Sequence, residues 1–500
     1  MAPAKTIMVQ GTASSVGKSI LVTALCRIFK QDGYRVAPFK SQNMSLNSFV
    51  TRDGGEFGRA QAVQAEAAGV ESSVDMNPIL LKPETDAMSQ VIVRGKLWKT
   101  LHAGEYWRDT QGLIEVVQGS LDRLRHDYEI VVIEGAGSPA EINLREHEIV
   151  NMRVARMAQA PVLLVGDIDR GGVFASLVGT LELLTPEERG FVKGLVINKF
   201  RGDPSLLRPG LEMLAERSGK PCLGIIPYIT DLGIAQEDSV FLEERPAPGH
   251  TEASVDIAVM WLPHMSNYDD FDPLERRGCS LRYVSSVSEL GVPDLIILPG
   301  TKTTIADMMH LRRNGLARAL VQLNRRGTPI VGICGGFQML GRSLRDPDGI
   351  ESSRREVEGF GLLDADTVFY GDKQTIQVKG KVATGRGLLS GLRDETIEGY
   401  EIHMGRTERL SGDAVFTVWR NSGDTPCEDG CLDSSGTVMG TYLHGIFNNE
   451  GFTSRLLAGL ARGAEIARRD TREWRQKEYD RLAITVRHNL AMDKVYEMLG

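Results

Sequence analysis

Short apolar runs alternate with amphipathic segments along the first half of the chain. Each run is long enough for a buried strand, and the segment after the first run has Leu21, Leu25 and Ile28 at helical spacing. Strands that alternate with helices predict a parallel sheet covered by helices on both faces. We therefore predict a doubly wound α/β domain here. Its strands are expected at residues 7–9, 34–39, 129–133, 161–165, 194–197 and 221–227.

A second set of apolar runs begins after a polar stretch. Residues 243–253 read EERPAPGHTEA, a composition typical of a linker. Because 500 residues also exceed what one core usually holds, we expect two or three domains. The later runs, which predict a second α/β domain, lie at 255–261, 294–298, 329–333 and 438–443. The predicted parts are a domain at 1–242, a linker at 243–254, a domain at 255–450 and a helical extension at 451–500.

The first strand runs into a loop of small residues that favours binding of an anion. Residues 11–17 read GTASSVG, and Lys18 and Ser19 open the next helix. Backbone N–H groups at such a helix N-terminus point at a bound phosphate. Lys18 would reach the terminal phosphates of a nucleotide, and the Ser19 hydroxyl would bind Mg²⁺. The alternative is an ordinary turn rich in glycine and serine. The predicted nucleotide-binding residues are Gly11, Thr12, Ser15, Val16, Gly17, Lys18, Ser19 and Asn198.

Polar residues also follow three other predicted strands. Glu134 follows the strand at 129–133 and is a candidate Mg²⁺ ligand, the alternative being a carboxylate that caps the next helix. Asn198 could hydrogen-bond the nucleotide base, since its amide both donates and accepts. The polar loop after the strand at 34–39 is typical of substrate binding, the alternative being a solvated loop. The candidate substrate-binding residues are Lys40, Gln42, Asn43, Asn47 and Lys82.

A cysteine at a strand-to-helix turn indicates a second site. Cys334 follows the apolar run 329–333 and precedes two glycines, which is the elbow arrangement of an enzymatic nucleophile. The backbone N–H groups at Gly300 and Gly335 are natural donors to an oxyanion. An isolated buried cysteine is more often structural, but this setting favours catalysis.

A cysteine nucleophile needs a base. His444 stands at the end of the predicted strand 438–443 and is the better candidate, with His403 as its rival. A lone histidine at a strand end is more often structural. The presence of a nucleophile elbow in the same domain favours the catalytic role.

Charge and cysteine content exclude several classes of protein. The formal net charge of −8, without a dense basic run, argues against a nucleic-acid partner. No apolar stretch reaches the length of a membrane span, so we expect a cytoplasmic protein with no membrane partner. The six cysteines are scattered and form no disulfide framework. The oligomeric state stays open, a homo-oligomer included.

Three motifs resemble those of known families. Five residues separate Gly11 from Gly17 where the common phosphate loop has four, and this longer loop resembles the dethiobiotin synthetase branch. The segment GICGG at 332–336 resembles the elbow of class I glutamine amidotransferases. GTYLHGIF at 440–447 resembles their cobyrinate-amidating branch. Ile446 stands where class I enzymes usually have a glutamate, so no third member of the triad is assigned.

The phosphate loop and the segment QNMSLNS at 42–48 together resemble the cobyric acid synthase family, and the resemblance covers essentially all of 6–447. It implies ATP- and glutamine-dependent amidation of the b, d, e and g carboxylates of adenosylcobyrinic acid a,c-diamide, through acyl phosphates and ammonia from glutamine. The implied ligands are ATP, Mg²⁺, glutamine and a corrinoid, without a tightly bound prosthetic group. One alternative is a cobyrinic acid a,c-diamide synthase. Another is a non-catalytic P-loop partition or regulatory ATPase with a relic amidotransferase domain.

Overall fold

The chain folds into two compact units, each assembled from more than one stretch of sequence. Unit 1 comprises Met1–Ser45, Glu56–Ser239 and Arg472–Gly500, and unit 2 comprises Leu46–Gly55 and Val240–Thr471. The computed structural model describes residues 3–84, 88–106, 110–230, 232–234, 255–420, 423, 425–461 and 471–500. The predicted linker at 243–254 lies outside the described residues.

Two stretches belong to a different unit from the one that their place in the sequence suggests. Residues 46–55 fall within the first predicted domain and belong to unit 2. Residues 472–500 fall within the predicted C-terminal extension and belong to unit 1, whereas the helix Glu450–Leu460 of that extension belongs to unit 2. The chain therefore passes back and forth between the two units.

A six-stranded parallel sheet forms the centre of unit 1. Its inner strands are largely buried, and Ile130–Glu134 is buried along its whole length, whereas the edge strand Cys222–Pro227 is only partly buried. A strand buried on both faces needs apolar residues at successive positions, which explains the continuous apolar runs in the sequence. The predicted doubly wound fold is confirmed. From edge to edge the strands are Cys222–Pro227, Val192–Phe200, Val162–Asp167, Lys5–Gly11, Ile130–Glu134 and Val36–Phe39.

Helices and smaller strands surround this sheet. The helices described in unit 1 are Lys18–Gln31, Arg59–Ala68, Ala103–Tyr106, Thr110–Asp127, Met152–Ala158, Val173–Leu183, Pro186–Phe191, Arg208–Ser218, Thr471–Asn489 and Met492–Leu499. Short 3-10 helices lie at Val74–Met76, Ile142–Leu144 and Pro204–Leu207. A second, mixed sheet contains Gln42–Met44, Ile79–Pro83, Met88–Val93 and Lys96–His102, and a further strand lies at Glu56–Gly58.

The C-terminal helices complete the apolar core of unit 1. Tyr479 and Leu482 are buried in the same cluster as Phe29 of the first helix. At the edge of this contact, Arg27 Nε lies 2.7 Å from Asp480 Oδ1. The first helix is therefore covered by a segment that comes more than 400 residues later in the sequence.

Unit 2 has its own central sheet, in which five neighbouring strands are parallel and the sixth is antiparallel. From edge to edge the strands are Ser280–Val284, Asp256–Met260, Leu295–Leu298, Ile330–Ile333, Val438–Thr441 and Cys431–Leu432. A second sheet is built on the long hairpin of Ala365–Val382 and Thr396–Arg409. The other strands of that sheet are Glu356–Glu358, Ser343–Arg345, Phe416–Arg420 and Cys427–Asp429.

Short helices connect the strands of unit 2. They are Asp272–Glu275, Val287–Leu290, Thr304–Arg313, Leu316–Arg325, Gly335–Leu340 and Glu450–Leu460, with 3-10 helices at Tyr268–Phe271, Gly387–Leu389 and Ile446–Asn448. The strand Ser48–Val50 also belongs to this unit. The prediction of a second α/β domain is confirmed. In the described part of the chain, none of the helices combines the length and the apolar character that crossing a membrane requires.

Packing of the C-terminal helix can be tested with one pair of substitutions. Leu482→Ala should destabilise the full-length chain by about 2–5 kcal/mol, because it opens a cavity at a fully buried position. Ile484 lies on the same helix and is 53% exposed, so Ile484→Ala should change the free energy of unfolding by no more than about 0.5 kcal/mol. Urea unfolding followed by circular dichroism measures both. If Leu482→Ala and Ile484→Ala changed the free energy of unfolding equally, the helix face that carries Leu482 would not be packed in the core of unit 1.

Candidate active sites

The phosphate loop lies between the strand Lys5–Gly11 and the helix Lys18–Gln31. Gly17 precedes the helix with a φ of 99°, a conformation that favours glycine. A Cβ at Gly17 would lie 2.1 Å from Asn198 Nδ2, which itself donates to the carbonyl of Val16 at 2.8 Å. Asn198 thus supports the loop from the strand Val192–Phe200, which lies two positions away from Lys5–Gly11 in the sheet. Its predicted hydrogen bond to the nucleotide base stays a prediction.

Lys18 is held along the phosphate loop. Its Nζ donates to the carbonyl oxygens of Ala13 at 2.9 Å and Gly137 at 3.1 Å. The loop also closes tightly, since a Cβ at Gly11 would lie 2.5 Å from Val16 Cγ2. The predicted nucleotide-binding residues from 11 to 19 all lie in this loop or at the helix start behind it. The arrangement gives a phosphate group one cation and a ring of backbone N–H groups.

Glu134 is the centre of a buried polar cluster in unit 1. Its Oε1 accepts hydrogen bonds from Ser19 Oγ at 2.8 Å and Lys40 Nζ at 2.9 Å, and its Oε2 accepts one from Gln64 Nε2 at 2.5 Å. These partners are side chains and not the N–H groups of a following helix. The geometry therefore favours an active-site role for Glu134 over a helix cap.

The Ser19–Glu134 pair fits a magnesium ion. A hydroxyl and a carboxylate oxygen 2.8 Å apart are hard oxygen donors, and Mg²⁺ usually takes only one or two protein ligands beside phosphate oxygens and water. No group of three or more His, Cys, Asp or Glu side chains suited to a metal occurs in the described part of the chain. Because Mg²⁺ usually takes phosphate oxygens and water beside its protein ligands, a nucleotide would complete a Mg²⁺ site at Ser19 and Glu134.

The predicted substrate-binding residues do not all belong to one unit. Lys40 contacts Glu134, and Asn43 Nδ2 donates to Gln61 Oε1 at 3.2 Å, both within unit 1. Asn47 belongs to unit 2. Their role in substrate binding stays a prediction for each residue separately.

The other two predicted substrate-binding residues also have protein partners. Gln42 Oε1 accepts a hydrogen bond from the Tyr106 hydroxyl. Lys82 Nζ lies 2.8 Å from Glu56 Oε1, and both side chains are buried. A buried ion pair of this kind is costly to break, by about 3–5 kcal/mol when one partner is removed. The pairing gives Lys82 a structural role beside the predicted one.

Cys334 adopts the strained backbone of a nucleophile elbow. It follows the strand Ile330–Ile333 with φ 51° and ψ −108°, a region that residues with a Cβ rarely adopt. Its N–H donates to the Thr441 carbonyl at 2.8 Å, which fixes the turn to the neighbouring strand. A Cβ at Gly336 would lie 2.0 Å from the Leu298 carbonyl oxygen, so the helix can start here only with glycine.

His444 links Cys334 to a buried aspartate. Its Nδ1 lies 2.6 Å from Asp270 Oδ2, and Cys334 contributes to the electrostatic environment of the same imidazole. The other oxygen of Asp270 accepts from the Gly445 N–H at 2.8 Å. Burial acts to lower the pKa of His444, but the charge and hydrogen bond of Asp270, together with those of Cys334, raise it to about 10. The three side chains form a Cys–His–Asp arrangement.

The rival histidine, His403, is engaged elsewhere. Its Nδ1 lies 2.7 Å from the Gly405 carbonyl oxygen, and its Nε2 lies 3.4 Å from Glu401 Oε2. Its ring stacks on Tyr442 with the centroids 3.8 Å apart. The geometry therefore favours His444 as the base.

Gly300 and Gly335 lie beside this arrangement. A Cβ at Gly300 would come within 2.8 Å of His444 Cε1, and one at Gly335 within 2.6 Å of Thr301 Cγ2. Only glycine allows both backbones to approach so closely. Their assignment as oxyanion donors stays a prediction.

Asp270 is a site residue that the sequence pattern does not reveal. Asp270 precedes His444 by 174 positions and lies on the 3-10 helix Tyr268–Phe271, which carries no recognisable motif. The adjacent carboxylates of Asp269 and Asp270 in an aromatic turn are the available signal. Gln64, which binds Glu134, is also missed, although its place on a polar helix face is visible in the sequence.

The two sites define a P-loop nucleotide-binding domain joined to a glutamine amidotransferase domain. Residues 7–240 match the family model of the CobQ/CobB/MinD/ParA nucleotide binding domain. Residues 256–452 match that of the CobB/CobQ-like glutamine amidotransferase domain.

The chain is similar over almost its whole length to curated relatives named cobyric acid synthase. That of Dehalococcoides mccartyi strain CBDB1 is 56% identical over 500 residues, covering 99% of each chain. That of strain ATCC BAA-2266 / KCTC 15142 / 195 is 55% identical, covering 100% of this chain and 99% of the relative. That of Pelotomaculum thermopropionicum is 52% identical, covering 99% and 97%. The chain belongs to the cobyric acid synthase family and is a glutamine-dependent amide ligase, which excludes a non-catalytic ATPase.

The His444–Asp270 hydrogen bond should make stability depend on pH. Because the folded protein raises the pKa of His444 from 6.5 to about 10, the protonated pair stabilises the fold fully below pH 6.5. That contribution is lost as the pH rises towards 10. Asp270→Asn should therefore lower the urea midpoint more near pH 6.5 than near pH 9.5.

The matched control is Asp272→Asn. Asp272 Oδ2 lies 3.3 Å from Arg276, whose guanidinium stays charged over this range. The effect of this substitution should be the same at both pH values. An equally constant effect of Asp270→Asn would contradict the assigned His444–Asp270 coupling.

Proposed function

We propose that this protein amidates the b, d, e and g carboxylates of adenosylcobyrinic acid a,c-diamide in cobalamin biosynthesis, using ATP and glutamine and giving adenosylcobyric acid. The observation that carries the proposal is the Cys334–His444–Asp270 arrangement on a chain that also has a phosphate loop. The names of the full-length relatives support the choice of substrate.

Glutamine would be hydrolysed at Cys334. The Sγ atom attacks the side-chain amide carbon of glutamine, and the backbone N–H groups of Gly300 and Gly335 stabilise the oxyanion. His444 first accepts the thiol proton and then donates it to the leaving ammonia. Asp270 holds the imidazole in the required orientation. Water then cleaves the thioester, which releases glutamate and restores the thiol.

The corrinoid carboxylate would be activated at the phosphate loop. A free carboxylate is a poor acylating agent, so transfer of the γ-phosphoryl group of ATP to it creates an acyl phosphate that ammonia can attack. Lys18 and the loop N–H groups stabilise the transferred phosphoryl group. Ser19 and Glu134 would hold Mg²⁺, which when bound neutralises charge on the phosphates. Lys40 keeps the Glu134 carboxylate in place.

In the decisive test, the purified protein is incubated with ATP, glutamine and the a,c-diamide. The number of added amides is then determined by mass spectrometry. Four added amides per corrinoid support the proposal. A protein that ignores the a,c-diamide and instead adds two amides to cobyrinic acid would be a cobyrinic acid a,c-diamide synthase, the competing assignment.

Cys334→Ser should separate the two nitrogen sources. The variant should lose glutamine-dependent amidation by at least about 10³-fold, because only glutamine hydrolysis uses the thiolate. Amidation from ammonium salts should stay within about twofold of the unsubstituted chain, since the ATP site is untouched. Cys431→Ser, at a buried cysteine outside the site, is the control. If Cys334→Ser lost both activities equally while remaining folded, the proposed division of labour would be wrong.

Glu134→Gln should abolish amidation from either nitrogen source by at least about 10²-fold, because the carboxylate that faces Ser19 and Lys40 is lost. Basal glutamine hydrolysis should persist. The control is Glu129→Gln, at a side chain 49% exposed at the other end of the same strand region. Near-normal amidation by Glu134→Gln at an ordinary Mg²⁺ concentration, together with a lower melting temperature, would show that Glu134 has only a structural role.

A further inference from the structure

Residues 46–55 form a segment that comes from the N-terminal part of the sequence and folds as part of unit 2. We call it the inserted segment. It is fastened to the strand Ala365–Val382 by two hydrogen bonds. Gln377 Nε2 donates to the Val50 carbonyl at 2.9 Å, and Thr375 Oγ1 donates to the Gly54 carbonyl at 2.8 Å. The inserted segment is therefore an integral part of the unit that carries Cys334.

One end of the inserted segment holds the turn that carries Asp270. The Asn267 N–H donates to Asn47 Oδ1 at 2.7 Å, and the Ser48 N–H donates to Asn267 Oδ1 at 2.9 Å. All three residues are buried. Asn267 has a φ of 53°, and its carbonyl accepts the Asp270 N–H at 3.0 Å. The reciprocal pair thus fixes a left-handed residue directly before the 3-10 helix of Asp270.

The middle of the inserted segment supports His444. The Phe49 ring packs edge-on against Tyr400, with the centroids 5.2 Å apart. Tyr400 in turn stacks on the His444 imidazole, with the centroids 5.4 Å apart and the planes at 19°. Backbone hydrogen bonds join Tyr400 and His444 in both directions, at 2.9 and 3.2 Å. The orientation of the imidazole therefore depends on a ring that Phe49 holds in place.

The inserted segment also packs against a residue that is hydrogen-bonded to Cys334. Val50 is buried in a cluster with Tyr400 and Ile402. The Ile402 carbonyl oxygen accepts a hydrogen bond from Cys334 Sγ at 3.3 Å. Two successive contacts thus lead from the inserted segment to each of the three members of the Cys–His–Asp arrangement.

We propose that the inserted segment is a positioning element of the glutaminase site, in which Asn47 fixes Asp270 through Asn267 and Phe49 fixes His444 through Tyr400. The proposal rests on the proposed hydrolysis of glutamine at Cys334. Asn47 and Phe49 are positioning residues, since each acts through another side chain. The contacts of Asn47 account for its burial. The substrate-binding role predicted for Asn47 stays a prediction, and amidation from ammonium salts separates it from the positioning role.

The test measures glutamine hydrolysis by full-length Asn47→Ala and Phe49→Leu. Asn47→Ala removes the acceptor of the Asn267 N–H, and Phe49→Leu removes the ring that contacts Tyr400 but keeps an apolar side chain. A misplaced catalytic group lowers the rate more than it lowers binding, so kcat should fall about 10- to 100-fold while KM changes less than about threefold. Phe49→Tyr, which keeps the ring, should restore kcat to within about threefold.

Two further measurements separate positioning from a general loss of structure. Exhaustive alkylation of the native protein by iodoacetamide, read by mass spectrometry on the peptide that contains Cys334, counts the folded Cys334 sites, so kcat is expressed per site alkylated there. Ammonium-dependent amidation should remain unchanged in every variant. Arg52→Ala, at an exposed position of the same segment, should leave kcat unchanged. Normal kcat per site in both Asn47→Ala and Phe49→Leu would overturn the proposal. So would a loss of ammonium-dependent amidation in Asn47→Ala, because that result assigns Asn47 to the substrate.

The proposed function is tested in parallel with the unsubstituted chain and Cys334→Ser. If the unsubstituted chain hydrolyses no glutamine, or if Cys334→Ser hydrolyses it normally, the proposed function fails. If these two behave as expected and the segment variants have unchanged kcat, the positioning role alone fails.

Discussion

Charge that is removed from water must be paired, and both candidate sites are organised around one carboxylate that meets this constraint. An unpaired buried carboxylate costs several kcal/mol, so its partners are held as firmly as the carboxylate itself. In unit 1, Glu134 accepts hydrogen bonds from Ser19, Lys40 and Gln64. In unit 2, Asp270 holds His444. The requirement to pair a buried charge therefore fixes the positions of the reactive groups.

Sheet topology decides which side chains can meet that requirement. The strands Val36–Phe39 and Ile130–Glu134 are parallel neighbours, so the residues at their carboxyl ends come together. This brings Lys40 to Glu134 although 94 positions separate them in sequence. In unit 2, Ile330–Ile333 and Val438–Thr441 are parallel neighbours in the same way, and they bring Cys334 and His444 together. Both sites thus lie where parallel strands end, as is general for α/β sheets.

Local pattern was sufficient to predict most strands of the two central sheets and the groups that end them, because a buried strand and a glycine turn each leave a short sequence signal. Cys334 and Lys18 stand in such turns. Local pattern did not predict the hairpin of Ala365–Val382 and Thr396–Arg409. Asp270 could not be predicted, since it lies on a 3-10 helix and meets His444 only through tertiary packing. Tertiary packing also places residues 46–55 in unit 2 and residues 472–500 in unit 1, so neither assignment could be predicted from local sequence. Their apolar residues can be recognised in the sequence, but no local sequence pattern indicates which of the two cores they belong to.

The interleaving of the two units also limits how a gene for such a protein can be divided. A cut between the halves of the reading frame would leave residues 46–55 on the first product and residues 472–500 on the second. Each product would then lack a piece of its own unit and carry a piece of the other. Exchange of one unit for a homologous one by recombination would need matched crossovers at several places along the frame. A single cistron is therefore the form in which both units are inherited intact.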